Sequence, residues 1–235
     1  MHFESVLLKK IPGLHHGFGT KSEPVPSSLE PFWTAAHPSW KQVHGIHFIE
    51  VSQNHQQCGE TDGLVTFQKG IPVAVVTADC VPILLARKTG GAAAAIHAGW
   101  RGTYNGAVDE VTRFLRSKGE DLSNWVAAVG PAIGPCCFEV SEELVAQFQK
   151  RFSDPFSDPF SNLFVPLSST LVSPSFRKLD LPAIHKARLQ AEGYGAVDLI
   201  RGCTVCSRIQ GEPTFQSYRR EKNSARQYSG LVFTP

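Results

Sequence analysis

The chain has 235 residues, of which 42% are hydrophobic and 19% charged. That balance suits a folded globular protein and excludes intrinsic disorder. Its 23 basic and 21 acidic residues leave a net charge of +2, too even for the basic footprint of a nucleic-acid binder.

No apolar run reaches the roughly 18 residues of a membrane span, so no membrane partner is expected. The opening MHFESVLLKKIPG lacks the charge order and apolar length of a secretion signal. A cytoplasmic location is the default. Neither a low-complexity linker nor a long repeat divides the chain, and one domain over residues 1–235 is the expectation. Six cysteines, Cys58, Cys80, Cys136, Cys137, Cys203 and Cys206, are even in number. In a long chain without an export signal they do not suggest a disulfide framework.

In chain order, His15 and His16 read as surface residues, and TKSEPVPSSLEP at 20–31 reads as a loop. Gly45 and Ile46 suggest a strand, which would turn His44 and His47 to opposite sides and make His47 structural. Ile71–Val76 is a strand rich in β-branched residues. Gly91–His97 is a strand of small residues that lets layers approach closely. Asn105–Lys118 is a helix with Val108, Val111, Phe114 and Leu115 on one face. Trp125–Val129 is a strand stopped by Gly130 and Pro131. Ser141–Phe152 is a helix opened by Ser141, with Leu144, Val145 and Phe148 inward. The turn-rich echo SDPFSDPF at 153–160, with its surroundings through 173–176, is the most mobile region expected. Leu181–Glu192 is a helix with Asp180 as N-cap, Pro182 in its first turn and Gly193 past its end. Alternating strands and helices argue for an α/β or α+β domain.

Three segments carry metal-ligand chemistry beside turns: KQVHG at 41–45, TADCVP at 77–82 and HAGWRG at 97–102. His44, Cys80 and His97 are two imidazoles and a thiolate, a natural Zn²⁺ set with a fourth position left for water or substrate. Each is a weak signal by itself, since a lone histidine or cysteine near a strand end is more often structural. Spacing alone does not bring the three together.

Arg101, flanked by glycines, offers a fork for phosphate or carboxylate; the bland alternative is an ion pair with Asp62 or Asp79. One of these two aspartates is expected to orient a ligating histidine. Cys203 and Cys206 form CTVC, a spacing seen in redox sites and half zinc sites, but without a second CxxC they read as packing residues. Cys136 and Cys137 read as packing under the Gly134–Pro135 turn. Arg219, Arg220, Lys222 and Arg226 form a basic cluster, either a solvated face or a lid for an anionic substrate.

QVHG, TDGLVT, TADCVP, HAGWRG, GPAIGPCCFEV and SYRR, in this order, resemble the YfiH family, also called the laccase-domain or polyphenol oxidase family, which includes purine nucleoside phosphorylases. The resemblance runs from about residue 41 to the C-terminus. This chain departs from it in FQSYRR at 215–220, in SAR at 224–226 and at His185, where relatives often carry asparagine. The resemblance implies a single domain of packed mixed β-sheets flanked by helices, a layered sandwich. It also implies that His44, Cys80 and His97 bind one catalytic metal.

The expected site is then catalytic Cys80, Arg101 and Asp79, with Gln42, Arg101 and Asp62 at the substrate. Zn²⁺ is the expected cofactor, with Cu²⁺ as a possible occupant. The implied reaction is phosphorolysis of adenosine, inosine and methylthioadenosine to free base and ribose 1-phosphate, with adenosine deamination at the same site. Its partners are a nucleoside and phosphate. The alternatives are copper-dependent phenol oxidation, a hydrolase or deamidase with Cys80 as nucleophile, and a metal-dependent interaction module without turnover.

Overall fold

The computed structural model describes residues 1–152 and 176–235. The region 153–175, where the SDPFSDPF echo was read as mobile, lies outside the described residues. Strands in chain order are β1 (Leu14–Phe18), β2 (Ser39–Lys41), β3 (Phe48–Glu50), β4 (Gln57–Glu60), β5 (Gly63–Thr66), β6 (Val73–Thr77), β7 (Val81–Arg87), β8 (Ala93–Ala98), β9 (Trp125–Val129), β10 (Glu139–Ser141), β11 (Phe176–Lys178), β12 (Ala196–Leu199), β13 (Arg208–Ile209), β14 (Glu212–Pro213) and β15 (Gln227–Phe233). Helices are α1 (Glu30–Ala36), α2 (Trp100–Asn105), α3 (Ala107–Ser117), α4 (Glu142–Phe152), α5 (Leu181–Ala191) and α6 (Tyr218–Glu221).

The main sheet is mixed, in the order β12-β9-β7-β8-β5-β3, and a smaller antiparallel sheet runs β1-β15-β6. Both cover apolar surface by the two-residue alternation of strands. In β7, Ile83 and Leu85 join the core under α3 and α5, while Leu84 and Ala86 join the core shared with Val73, Val75, Leu231 and Phe233 of the small sheet. Layers of helix, main sheet and small sheet follow. Ala93 and Ala95 of β8 face the small sheet and Ala94 faces the helices, so the run of alanines allows the close packing expected of it.

The expected strands at 71–76, 91–97 and 125–129 correspond to β6, β8 and β9. Asp180 caps α5, accepting from the N–H of Ala183 at 3.0 Å. The helix expected over 105–118 is corrected: helical structure begins at Trp100 and breaks at Gly106, whose φ of 88° closes α2 and opens α3. Only glycine enters that left-handed conformation at low cost. No strand runs through Gly45 and Ile46; the chain bends at His44 and Gly45. His16 is also corrected. It is 2% exposed, and its Nε2 accepts the N–H of Ser5 at 2.9 Å, because β1 turns this side chain inward between β15 and the N-terminal segment. Among the described residues, no helix is long and apolar enough to cross a membrane.

Candidate metal centre

Three segments meet at one end of the main sheet: QVHG after β2, TADC from the end of β6 to the start of β7, and HAGWRG from the end of β8 into α2. Strands β7 and β8 are antiparallel neighbours with Pro82 opposite His97, so register alone brings Cys80 to His97. Ligand atoms of His44, Cys80 and His97 all lie within 4.8 Å of one another. The two imidazoles meet edge to face with centroids 4.8 Å apart.

The QVHG loop is held from two sides. Gln42 acts as a strand edge would: its Oε1 accepts from the N–H of Val76 at 2.7 Å and its Nε2 donates to the Val76 carbonyl at 2.8 Å. Asp62, fully buried, accepts the N–H groups of His44 at 2.8 Å and Gly45 at 2.6 Å. The same carboxylate stands 2.9 Å from Nδ1 of His97. With Nδ1 engaged by a carboxylate, His97 presents Nε2 to the centre. Asp62 is therefore the orienting aspartate that the sequence left undecided between positions 62 and 79.

Gly99 makes room for the cluster, since a Cβ there would stand 3.0 Å from the Cys80 sulfur and 3.4 Å from the His44 ring. Backbone strain marks the same place. His44 has φ of 61° and Asp79 φ of 98°, conformations that cost of order 1–3 kcal/mol and persist where the surroundings over-determine them. Asp62 holds the first. Asp79 is held by Thr204, whose hydroxyl donates to Oδ1 at 2.6 Å, and by the N–H of Arg219, which donates to Oδ2 at 2.6 Å.

Burial would push the Cys80 thiol up, but hydrogen bonds to His44 and His97 outweigh it and bring the thiol down to about 6. His97 moves the other way. Burial alone would lower it, yet its bonds to Asp62 and Cys80 raise it to about 9. At neutral pH without metal a thiolate thus sits beside the His97 imidazolium, with the Asp62 carboxylate behind it. This donor set fits a borderline divalent cation such as Zn²⁺.

The centre opens into a cavity of about 700 Å³. Trp40, Trp100, Phe138 and Tyr218 supply aromatic lining, and Arg219, Lys222 and Arg226 supply three cations. Arg219 lies 5.8 Å from the Phe138 ring centroid, and Lys222 and Arg226 lie 5.4 Å and 5.7 Å from that of Tyr218. The basic cluster therefore borders the cavity, as the reading of it as a lid requires. Arg220 does not; its guanidinium donates to the carbonyls of Thr204, Val205 and Phe215.

Arg101 is corrected. It is exposed on α2, with its guanidinium 4.6 Å over the Trp100 ring, and is not among the cavity-lining residues. The first turn of α2 directs Trp100 inward and its successor outward. Its pair with Asp62 or Asp79 does not form, because those carboxylates are engaged by His44, Gly45 and His97 and by Thr204 and Arg219. Gln42 and Asp79 line the cavity, each already engaged as described. His47 stays apart, Nδ1 3.2 Å from the Glu60 carbonyl. His185 is buried against α2, Nε2 2.8 Å from the Thr103 hydroxyl, and does not line the cavity. Trp40 and Tyr218 carried no sequence signal beyond lying next to QVHG and within SYRR.

Fold and site together define a layered α/β protein with a two-histidine, one-cysteine cluster that could hold a metal ion, facing a cavity. The family model described as multi-copper polyphenol oxidoreductase laccase matches residues 32–234. The chain is 31% identical over 194 residues to the purine nucleoside phosphorylase YfiH of Shigella flexneri, covering 82% of this chain and 72% of that one. It is 32% identical over 193 residues to a purine nucleoside phosphorylase of Mycobacterium bovis, covering 82% and 70%. Among solved structures, YlmD of Geobacillus stearothermophilus superposes with a TM-score of 0.77 at 25% identity, over 96% of this chain and 93% of that one. A YfiH protein of Bacillus licheniformis gives 0.77 at 20%, over 96% and 95%. The chain belongs to the YfiH family.

Proposed function

We propose that this protein is a Zn²⁺-dependent purine nucleoside phosphorylase acting on adenosine, inosine and methylthioadenosine, with adenosine deamination at the same centre. One observation carries the reading: a single cavity presents a metal-competent His44–Cys80–His97 centre, aromatic side chains and three cations. Phosphorolysis needs these parts together, a surface for the purine, positive charge for phosphate, and an electrophile near the bond that breaks.

Bound Zn²⁺ would be held by His44, Cys80 and His97 and would supply a Lewis acid with an open position. Trp40, Trp100, Phe138 and Tyr218 offer flat faces for the base. Arg219, Lys222 and Arg226 neutralise the attacking phosphate and hold it in place. Asp62 keeps His97 in the tautomer that presents Nε2. Gln42 and Asp79 act through position, one tying QVHG to β6 and the other shaping the turn that carries Cys80.

The test is an assay of adenosine with phosphate, comparing wild type and Cys80→Ala. Wild type should release adenine and ribose 1-phosphate, and inosine when phosphate is omitted; Cys80→Ala should do neither. Zinc-loaded protein that turns over no nucleoside would remove the reading.

The lowered Cys80 thiol beside a raised His97 also favours a second reading, a cysteine hydrolase or deamidase with Cys80 as nucleophile. A covalent adduct on Cys80 in active, metal-free protein would select it. Copper could occupy the same donors because its general affinity exceeds that of zinc. Full nucleoside activity in copper-free, zinc-loaded protein would separate that occupancy from function.

A further inference from the structure

Away from this centre, four more cysteines converge. Cys136 and Cys137 lie in the loop after β9, and Cys203 and Cys206 in the loop after β12. Strands β9 and β12 are parallel neighbours, so their following loops leave the sheet side by side. We propose that Cys136, Cys137, Cys203 and Cys206 form a second metal site, a closed four-thiolate Zn²⁺ site that clamps these two loops together and backs one wall of the cavity.

The geometry has the right scale. The four sulfurs lie within 4.8 Å of one another, and Cys136 and Cys206 approach to 3.4 Å. Sulfurs around a tetrahedral Zn²⁺, with bonds of ~2.3 Å, stand roughly 3.8 Å apart. All four are free thiols. Packing does not account for Cys136 and Cys206, which are exposed, whereas unreactive cysteines are among the most buried residues. That corrects the packing reading for Cys136 and Cys206, while Cys137 does lie against the helix-side core.

The surrounding backbone is already arranged. Ala132 and Cys203 form an isolated parallel bridge, and the Gly134 N–H points at the Cys203 sulfur at 3.4 Å. A Cβ at Gly134 would lie 3.4 Å from the Cys136 sulfur and 3.5 Å from Cys203 Cβ, so this backbone packs directly against the cluster. Cations border the same loops. Lys178 Nζ donates to the Cys136 carbonyl at 3.2 Å, Arg219 to that of Cys137 at 3.4 Å, and Arg208 to that of Val205 at 3.0 Å. Zn²⁺ with four thiolates carries a net charge of −2, which these cations offset. Binding exchanges thiol protons for the metal and involves no redox step.

The clamp has a structural consequence for the first centre. Thr204, between the two cysteines of CTVC, donates to Asp79, the residue before Cys80. Phe138, immediately after Cys137, lines the cavity. The second site is thus a positioning element for the TADC turn.

The experiment is zinc analysis and thiol counting on protein purified under reducing conditions without added metal. Wild type should hold two zinc ions per chain, and both Cys136→Ser/Cys206→Ser and His44→Ala/His97→Ala should hold one. Should the serine variant fail to fold, Co²⁺ loading of His44→Ala/His97→Ala gives a second readout, the intense sulfur-to-cobalt charge-transfer bands of a four-thiolate site. One zinc in wild type that disappears with His44 and His97 would overturn the proposal. So would iron–sulfur absorbance, disulfides in place of thiols, or alkylation of the four cysteines at the same rate before and after chelation. These readouts count metals and thiols, so they stand or fall separately from nucleoside turnover.

Discussion

Two cysteine-bearing clusters lie in adjoining parts of this molecule and are built by opposite means. The His44–Cys80–His97 centre draws one side chain from each of two loops and one from the end of β8, adjoins a cavity, and has a buried carboxylate behind one imidazole. The Cys136–Cys137–Cys203–Cys206 cluster draws two thiols from each of two short motifs, with Cys136 and Cys206 exposed and loop carbonyls tied to cations. Three ligands and an oriented imidazole leave room for a reacting group. Four thiolates fill a coordination sphere and leave none. One arrangement suits chemistry and the other suits holding loops.

The largest expected effect comes from deleting the thiolate of the first centre. Cys80→Ala should lower kcat/KM for adenosine phosphorolysis by about a thousandfold or more, roughly 4 kcal/mol, and release the metal of that centre alone. Loss of both metals together would break the distinction between the clusters. Next comes Asp62→Asn, which replaces the carboxylate facing Nδ1 of His97 and weakens the acceptors of the QVHG loop. Zinc affinity at the first centre should fall about 10–100-fold, measured by chelator competition, while the four-cysteine site keeps its metal.

A smaller effect separates the cavity cations from Arg101. Arg219→Ala should raise KM for phosphate by about tenfold, near 1.4 kcal/mol, whereas Arg101→Ala should change it by less than about twofold. A larger loss from Arg101→Ala than from Arg219→Ala would show that phosphate enters along α2.

A last effect, on stability and not on turnover, lies outside both clusters. Burial lowers His16 to about 4 and His185 to about 3. The unfolded chain therefore binds protons on these histidines below pH ~6.5 while the folded chain does not. Their contribution is present above pH ~6.5 and is lost as pH falls toward those values, at up to about 1.4 kcal/mol per pH unit for each. Urea midpoints measured from pH 7 to pH 5 should fall, and His185→Asn should flatten part of that slope. A midpoint that stays level would mean that these side chains take up protons without unfolding.

The convergence of His44, Cys80 and His97 was legible because QVHG, TADC and HAGWRG each pair a donor with a turn, and because a family resemblance linked them. Strands β6, β8 and β9 were legible from runs of β-branched or small residues that only a buried sheet accommodates. Arg101 was misread because spacing along the chain does not tell which residue of a helical turn faces a cavity. His16 was misread because its burial depends on pairing with β15, more than 200 residues later. The four-cysteine cluster was missed for a related reason: CC and CxxC are far apart in sequence and neither alone is a metal motif.

The sequence by itself determined which side chains can bind a soft cation and which segments form strands or helices, since side-chain chemistry and local periodicity are properties of short stretches. Tertiary structure alone decided which aspartate orients His97, that Arg219, Lys222 and Arg226 rather than Arg101 border the cavity, and that two cysteine pairs meet. The first follows from the register of β5 on β8, which sets Asp62 beside His97, and the last from β9 lying parallel to β12; the cations reach the cavity through α6 and the residues after it.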